Sequence, residues 1–198
     1  MGKKIGLTNR AIQQAFGVEE PMSGYITDKM VISEVKIDEL IQPRIEAEIA
    51  FFLTNDLKSI NRAEILESIY AIPALEIVDS RIRDWRVKIQ DTIADNASIA
   101  RVVLGNKLLP IKDLDLQLIG MVFKKNGRII STGVGANVME NPILALEWLI
   151  NKFAQSGEYL KAGEMVLAGS LISPVAVGGS DVFEAEFHTL GSVSVTFI

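Results

Sequence analysis

The chain has 198 residues, 48% of them hydrophobic and 23% charged, which suits one well-packed domain and excludes a disordered chain. With no cysteine and a single histidine, His188, it has no disulfides, thiolate sites, thiol nucleophiles or histidine clusters, so any metal must be a hard, oxygen-bound one. A net charge of −5, with no basic run beyond Lys3-Lys4 and Lys124-Lys125, argues against nucleic acid, and no apolar run approaches the roughly 18 residues of a membrane-spanning helix.

The opening MGKKIGLTN lacks an apolar stretch and a small-residue cleavage site, so no secretory signal is expected and a cytoplasmic location is. Leu7 to Gly17 reads as a short helix, capped by Thr8 or Asn9, with Ile12 and Phe16 on one face. VEEPMSGYITDKM is turn-rich, and Arg44–Leu53 is a strand. Asn61, with Glu64 three residues on, opens a helix to about Tyr70; Pro73 follows it, and ALEIVDS (74–80) is a strand. Asp91 to Leu104 reads as helix at least in its second half, stopped by Gly105. LQLIGMVFK and RIISTGV flank Asn126-Gly127, a hairpin signal. Asn141-Pro142 starts an amphipathic helix with Ile143, Leu146, Leu149, Ile150 and Phe153 apolar, ended by Gly157. MVLAGSL, PVAV, VFEAEFH and SVSVTFI close the chain as short strands. There is no repeat or low-complexity tract. The pattern predicts an α+β sheet that curls on itself, with helices along one side.

The chemistry has to be sought among carboxylates. QPRIEAEIAFFL puts Glu46 and Glu48 on one face of a strand, roughly 6–7 Å apart, with Ile45, Ala47 and Ile49 behind them. Like charges that close repel. Glu76 is equally out of place in PALEIVDS, with Asp79 on the opposite face. On the residues alone two readings stand. The glutamates face solvent from half-exposed strands, as strand charges usually do. Or they converge as a Mg²⁺ or Mn²⁺ site, filling three of six octahedral positions and leaving room for a bidentate 2-oxo acid and one water. His188, at a strand end, reads as structural or exposed. Gly133-Val-Gly135 is not a phosphate loop. Trp85 among Arg81, Arg83 and Arg86, mixed with Asp79, Asp84 and Asp91, reads as a loop of ion pairs near the site mouth.

KKIGLTN, QPRIEAEIAF, PALEIVDSRIRDW and DTIADNAS resemble the 2-keto-4-pentenoate hydratase/4-oxalocrotonate decarboxylase family, part of the fumarylacetoacetate hydrolase superfamily. KNGRIISTGVGANVMENP, ALEWLINKF and LGSVSVTF extend the resemblance over essentially the whole chain. It implies one catalytic domain over 1–198, a mixed, strongly curled sheet (barrel or roll) with flanking helices. It also implies the absence of an N-terminal helical segment of some tens of residues that the family's chains usually carry. By resemblance, Glu46, Glu48 and Glu76 are ligands of Mg²⁺ or Mn²⁺, which would offset their repulsion. Lys4 of the K-I-G-L-T motif falls on a position for substrate-carboxylate binding or proton transfer, against an exposed lysine as the ordinary expectation. Ser98 would hydrogen-bond substrate, or cap a helix after Asn96.

The implied reaction is metal-dependent addition of water to a short 2-hydroxy-2,4-dienoate, giving a 4-hydroxy-2-oxo acid, in the catabolism of aromatic-ring-cleavage products. The alternatives are decarboxylation of a 2-oxo-dioic acid of the 4-oxalocrotonate type, and a non-catalytic partner subunit; the intact glutamate set speaks against the last. Hydratases of the family often carry an acidic residue after the proline matching Pro21. Met22, a substrate contact by resemblance, looks there more like the decarboxylase branch. SRIRDWRVKIQDTIADNAS is longer and looks like the hydratases, which favours hydratase. The resemblance and the exposed strand edges also imply a homo-oligomer, with association with a related decarboxylase or hydratase as a further expectation.

Overall fold

Alternating apolar residues and turn chemistry lay out twelve strands and four α-helices. The computed structural model describes all of residues 1–198. The N-terminal half holds β1 (Gly2–Gly6), α1 (Arg10–Phe16), β2 (Met22–Ile26), β3 (Pro43–Leu53), α2 (Arg62–Ser68), β4 (Ile69–Asp79), α3 (Ile89–Ala94) and β5 (Ile99–Leu104). The C-terminal half holds β6 (Leu109–Pro110), β7 (Gly120–Lys125), β8 (Arg128–Val134), α4 (Pro142–Gln155), β9 (Met165–Ser170), β10 (Val175–Ala176), β11 (Val182–Phe187) and β12 (Gly191–Thr196). No helix is long and apolar enough to cross a membrane.

The strands form two sheets. The larger is eight-stranded, in the order β2-β1-β9-β3-β4-β5, with β10 added to β3 and β6 to β4. It is mixed: β1 and β9 run parallel, and the other pairs are antiparallel. The smaller is antiparallel, β12-β11-β7-β8. Odd-numbered residues of β3 and β4, among them Ile45, Ile49, Phe51, Leu75 and Ile77, join Phe123, Phe183, Leu146 and Leu149 in one buried core. The even-numbered face carries a smaller apolar cluster at Ala50, Ile72 and Ala74. The larger sheet is strongly curled. Lys4 on β1 stands three places from β4 in strand order, about 14 Å away in a flat sheet. Yet its Nζ lies 2.9 Å from Glu76. The architecture is thus the α+β, strongly curled half-barrel with few flanking helices that the resemblance implies.

Several local expectations hold. The Asn9 side chain accepts from Ala11 N–H at the start of α1, and Gly17 ends it at φ 67°. Asn126 and Gly127 both have positive φ, 51° and 77°, as the β7–β8 hairpin requires. Asn141 caps α4 with Pro142 in the first turn, and the five apolar positions expected along α4 are all buried.

Two expectations fail. The helix opened by Asn61 ends at Ser68, and β4 begins at Ile69 and runs through Pro73. Pro73 is tolerated mid-strand because of a gap beside it. β5 pairs with β4 only as far as Ala74, and β6 takes over at Ala71. The Pro73 carbonyl accepts from Gly105 N–H on that side, so the missing N–H points at the gap and breaks no ladder bond. The second half of 91–104 is the strand β5, not helix. Asn96, Ala97 and Ser98 all have positive φ, 52°, 56° and 57°, which stops helical propagation after Ala94. β-branched Ile99, Val102 and Val103 then suit a half-buried pleat.

Candidate active site

The antiparallel register of β3 and β4 sets Glu46 directly opposite Glu76, with Glu48 two residues on along the same face. Both strands are interior to the sheet, so no edge offers these carboxylates to solvent. Glu48 is 1% and Glu76 0% exposed, and Glu46 is half-buried. One carboxylate oxygen from each lies within 4.8 Å of the others. This disposes of the solvent-facing reading.

Lys4 is buried, not the exposed N-terminal lysine of the ordinary expectation. Its Nζ pairs with Glu76 Oε1 at 2.9 Å and donates to the Ala97 carbonyl at 3.2 Å. The contact with Glu76 has ion-pair distance without hydrogen-bond geometry, so both Glu76 oxygens remain buried with no hydrogen-bond donor. Glu48 is held differently. The β3–β9 register slips between Glu48 and Ala50, an extra residue falling in β9. That bulge turns Gly169 N–H onto Glu48 Oε2 at 2.8 Å. Only glycine fits there, since Gly169 has φ 117° and a Cβ would sit 2.3 Å from Thr8 Oγ1.

Burial raises the Glu46 carboxyl to about 7 and the charge of Glu76 adds to the shift, while Lys4 and Arg44 oppose it. Burial, then Glu76 and Glu46, push Glu48 well above the usual carboxylate range. Burial pulls Lys4 down, but the charges of Glu76, Glu46 and Glu48 outweigh it and hold the ammonium above its ordinary value. Without a cation the cluster relieves its charge by holding protons.

Ser98 does not cap a helix. It is the last of the three left-handed residues before β5, buried, and its Oγ has no partner. The turn is fastened by Asn96, whose side chain accepts from Tyr25 N–H at 2.7 Å and donates to the Tyr25 carbonyl at 2.9 Å. It thereby directs the Ala97 carbonyl at Lys4. Two lobes of one cleft meet at Lys4, Leu7, Ile12 and Glu46. One, of about 320 Å³, adds Glu48, Asn137 and Ser170. The other, of about 190 Å³, adds Met22, Arg44, Trp85 and Ser98. A polar cleft of about 500 Å³ adjoins through Thr8, Asn9 and Asn137 but holds none of the three carboxylates. Trp85 stands at the cleft as expected, with the ion pairs Arg81–Asp95 and Arg86–Asp84 beside it. Asp79 lies apart from the cluster, accepting from the N–H groups of Ile41 and Gln42. His188 is exposed.

Lys4, Glu46, Glu48, Glu76, Ser98 and Met22 are therefore brought to one place. Sequence reasoning missed Arg44, Gly169 and Asn96. A glycine inside the apolar MVLAGSL was the one signal of a bulge. Three convergent carboxylates, two of their oxygens buried without a donor and no nitrogen or sulfur ligand nearby, fit a hard divalent cation such as Mg²⁺ or Mn²⁺.

Residues 19–198 match the fumarylacetoacetate (FAA) hydrolase C-terminal family. Over its full length the chain is 42% identical to a 2-keto-4-pentenoate hydratase of Paraburkholderia xenovorans, covering 76% of that protein. It is 40% identical to a 2-hydroxyhexa-2,4-dienoate hydratase of Comamonas testosteroni, covering 78% of it. The solved 4-oxalocrotonate decarboxylase of Pseudomonas putida G7, complexed with magnesium and adipate, matches with a TM-score of 0.94 at 33% identity, over 100% of this chain and 77% of that one. The chain belongs to the fumarylacetoacetate hydrolase family, in the group of 2-keto-4-pentenoate hydratases and 4-oxalocrotonate decarboxylases.

Proposed function

We propose that the chain is a metal-dependent hydro-lyase that adds water to a short 2-hydroxy-2,4-dienoate, giving a 4-hydroxy-2-oxo acid. The observation that carries this reading is the convergence of Glu46, Glu48 and Glu76, with Glu46 and Glu48 lining a cleft that also holds a buried ammonium and a free hydroxyl. The hydratase relatives name the reaction class. Glu46, Glu48 and Glu76 would hold a Mg²⁺ or Mn²⁺ ion, which would supply Lewis acidity toward the 2-oxo acid end of the substrate. Lys4, fixed by Glu76 and the Ala97 carbonyl, binds the substrate carboxylate or carries a proton at Nζ. Ser98 Oγ, having no partner in the protein, is available to hydrogen-bond substrate. Met22 makes an apolar contact, for which Gly6 leaves room: a Cβ there would lie 2.9 Å from Met22 Cε.

Met22 also supports a second reading, decarboxylation of a 2-oxo-dioic acid. A thioether neither accepts a proton from water nor orients it, and loss of a distal carboxyl needs no activated water. The two are separated by ultraviolet monitoring of 2-hydroxydienoates and 2-oxo-dioic acids with Mg²⁺ and Mn²⁺. Loss of the dienol chromophore with uptake of water supports the hydratase. Release of CO₂ without hydration supports the decarboxylase.

The domain 1–198 acts as one catalytic unit, in the cytoplasm, in breakdown of aromatic-ring-cleavage products. It works as a homo-oligomer, with association with a related decarboxylase or hydratase as a further partnership. Support for assembly comes from β8, the last strand of the smaller sheet, which exposes Ile129 and Ile130 at 64% and 44%. Light scattering that gave only a 21.7 kDa species at micromolar concentration would contradict it.

A further inference from the structure

The smaller lobe contains a cation, Arg44, that forms neither an ion pair nor a hydrogen bond within the protein. Arg44 precedes Glu46 by two residues on β3, so both point to the same face, with Cα atoms roughly 7 Å apart. The lobe is lined by Arg44, Lys4, Glu46, Met22, Trp85 and Ser98. Lys4 is already engaged by Glu76 and the Ala97 carbonyl. Arg44 has no carboxylate within 4.0 Å and donates no hydrogen bond to the protein.

The side chain is nonetheless held. Its guanidinium lies over the Trp85 ring, 4.5 Å from the centroid. Trp85 in turn donates from Nε1 to the Gln42 carbonyl at 2.9 Å. Asp84 and Trp85 adopt φ of 57° and 55°, a region that L-residues enter at a cost. A strained turn thus fixes the indole that fixes the arginine. Stacking occupies the guanidinium's face and leaves its N–H edge unmatched, the edge that matches a carboxylate. Apart from Glu46 no carboxylate lines the lobe, and Met22, Val78, Val87 and Pro174 make much of its wall apolar, so an ion pair formed there is weakly screened.

We propose that Arg44 is the specificity-determining residue for the far end of the substrate: its guanidinium receives a second carboxylate, so the site prefers 2-oxo or 2-hydroxydienoic acids that end in a carboxylate over those that end in an alkyl group. This rests on the reading of the cleft as the substrate site given above. The Glu46–Glu48 end takes the 2-oxo acid group and the Arg44 end the distal anion, which sets the chain length accepted.

The test has a binding arm and a turnover arm on the Mg²⁺-loaded full chain. By calorimetry, a saturated six-carbon dicarboxylate should bind the wild type about 10–100-fold tighter than the six-carbon monocarboxylate, the range of a charge-assisted hydrogen-bonded pair. Arg44→Gln should remove most of that preference, and Arg44→Lys should restore part of it. In turnover, the ratio of kcat/KM for a carboxylate-ended dienoate to that for a methyl-ended one should fall by a similar factor in Arg44→Gln. An unchanged ratio, whether both substrates suffer equally or neither does, would overturn the proposal and leave Arg44 as a counter-charge to Glu46. A preference that holds in binding while the wild type hydrates neither dienoate would sustain the Arg44 assignment and bring down the hydratase reading alone.

Discussion

The tripeptide Glu-Ala-Glu occurs twice in this chain, at Glu46–Glu48 in β3 and at Glu184–Glu186 in β11, both times between bulky apolar residues. The apolar residues of both, Ile45, Ala47 and Ile49 in one and Phe183, Ala185 and Phe187 in the other, enter the same core. Locally the two strands are alike, and their fates are opposite. Glu184 lies opposite Lys124 on β7, and Lys124 pairs with both Glu184 and Glu186. Those side chains are 37% and 48% exposed, so the contacts are solvated pairs of small worth. Glu46 lies opposite another glutamate, and the curl of the sheet roofs that face with Lys4 and the turn at Asn96–Ser98. The cross-strand partner and the cover over the face, not the local sequence, separate a solvated ladder from a buried, convergent cluster with the geometry to hold a metal ion.

Substitutions can break or sharpen this contrast. The largest effect is expected from Glu48→Gln, which should abolish turnover. It also removes a repelling charge, so the metal-free protein should unfold at the same temperature or higher. Lys4→Met leaves Glu76 buried without its counter-charge. Denaturant unfolding of the metal-free protein should show a loss of about 3–5 kcal/mol, and a loss under about 1 kcal/mol would mean that the pair behaves like a surface one. Met22→Asp places a proton-transfer group in the small lobe beside Lys4 and Glu46. The ratio of hydration to C–H exchange on one substrate should rise at least about tenfold, toward the 10²–10⁴ of general-base catalysis. An unchanged ratio would remove position 22 from the chemistry.

A smaller effect is carried by pH. Folding raises the Glu46 carboxyl from 4.5 to about 7, and Glu48 shifts in the same direction. The folded state therefore binds these protons more tightly than the unfolded one. The stability this contributes is complete below about pH 4.5 and is lost as pH rises through about 7. Melting temperature of the metal-free protein should fall over that window. Saturating Mg²⁺, which requires the ionised carboxylates, should flatten or reverse the trend. A metal-free protein whose melting temperature held level from about pH 5 to about pH 8 would contradict the burial of the cluster. The smallest effect is expected from Glu186→Gln, within about 0.5 kcal/mol in stability and without change in turnover.

The sequence disclosed what local chemistry controls. Asn9, Asn61 and Asn141 accept hydrogen bonds from the first turns of their helices, and Asn126-Gly127 turns a hairpin. It misled where a distant partner decides. Pro73 looked like a break because the gap between β5 and β6 that accepts it is set by pairing in three dimensions. Residues 99–104 looked helical because nothing nearby announces the left-handed turn that Asn96 anchors to Tyr25. At the site, Glu46, Glu48 and Glu76 were legible as charges out of place. Lys4, Ser98 and Met22 came from resemblance, because only the curl of the sheet brings them over β3 and β4. Arg44 was hidden among ordinary surface-type charges, since neither its stacking on Trp85 nor its want of a partner is a property of the local sequence.

The glutamates of β3 and β4 are expected to bind a divalent cation, and those of β11 are not. This is tested most directly by calorimetric titration of the metal-free protein with Mn²⁺, comparing wild type, Glu48→Gln and Glu186→Gln. One saturable site per chain is expected in the wild type and in Glu186→Gln, and none in Glu48→Gln. A wild type that bound no Mn²⁺, or a Glu48→Gln variant that bound it as tightly as the wild type, would contradict this.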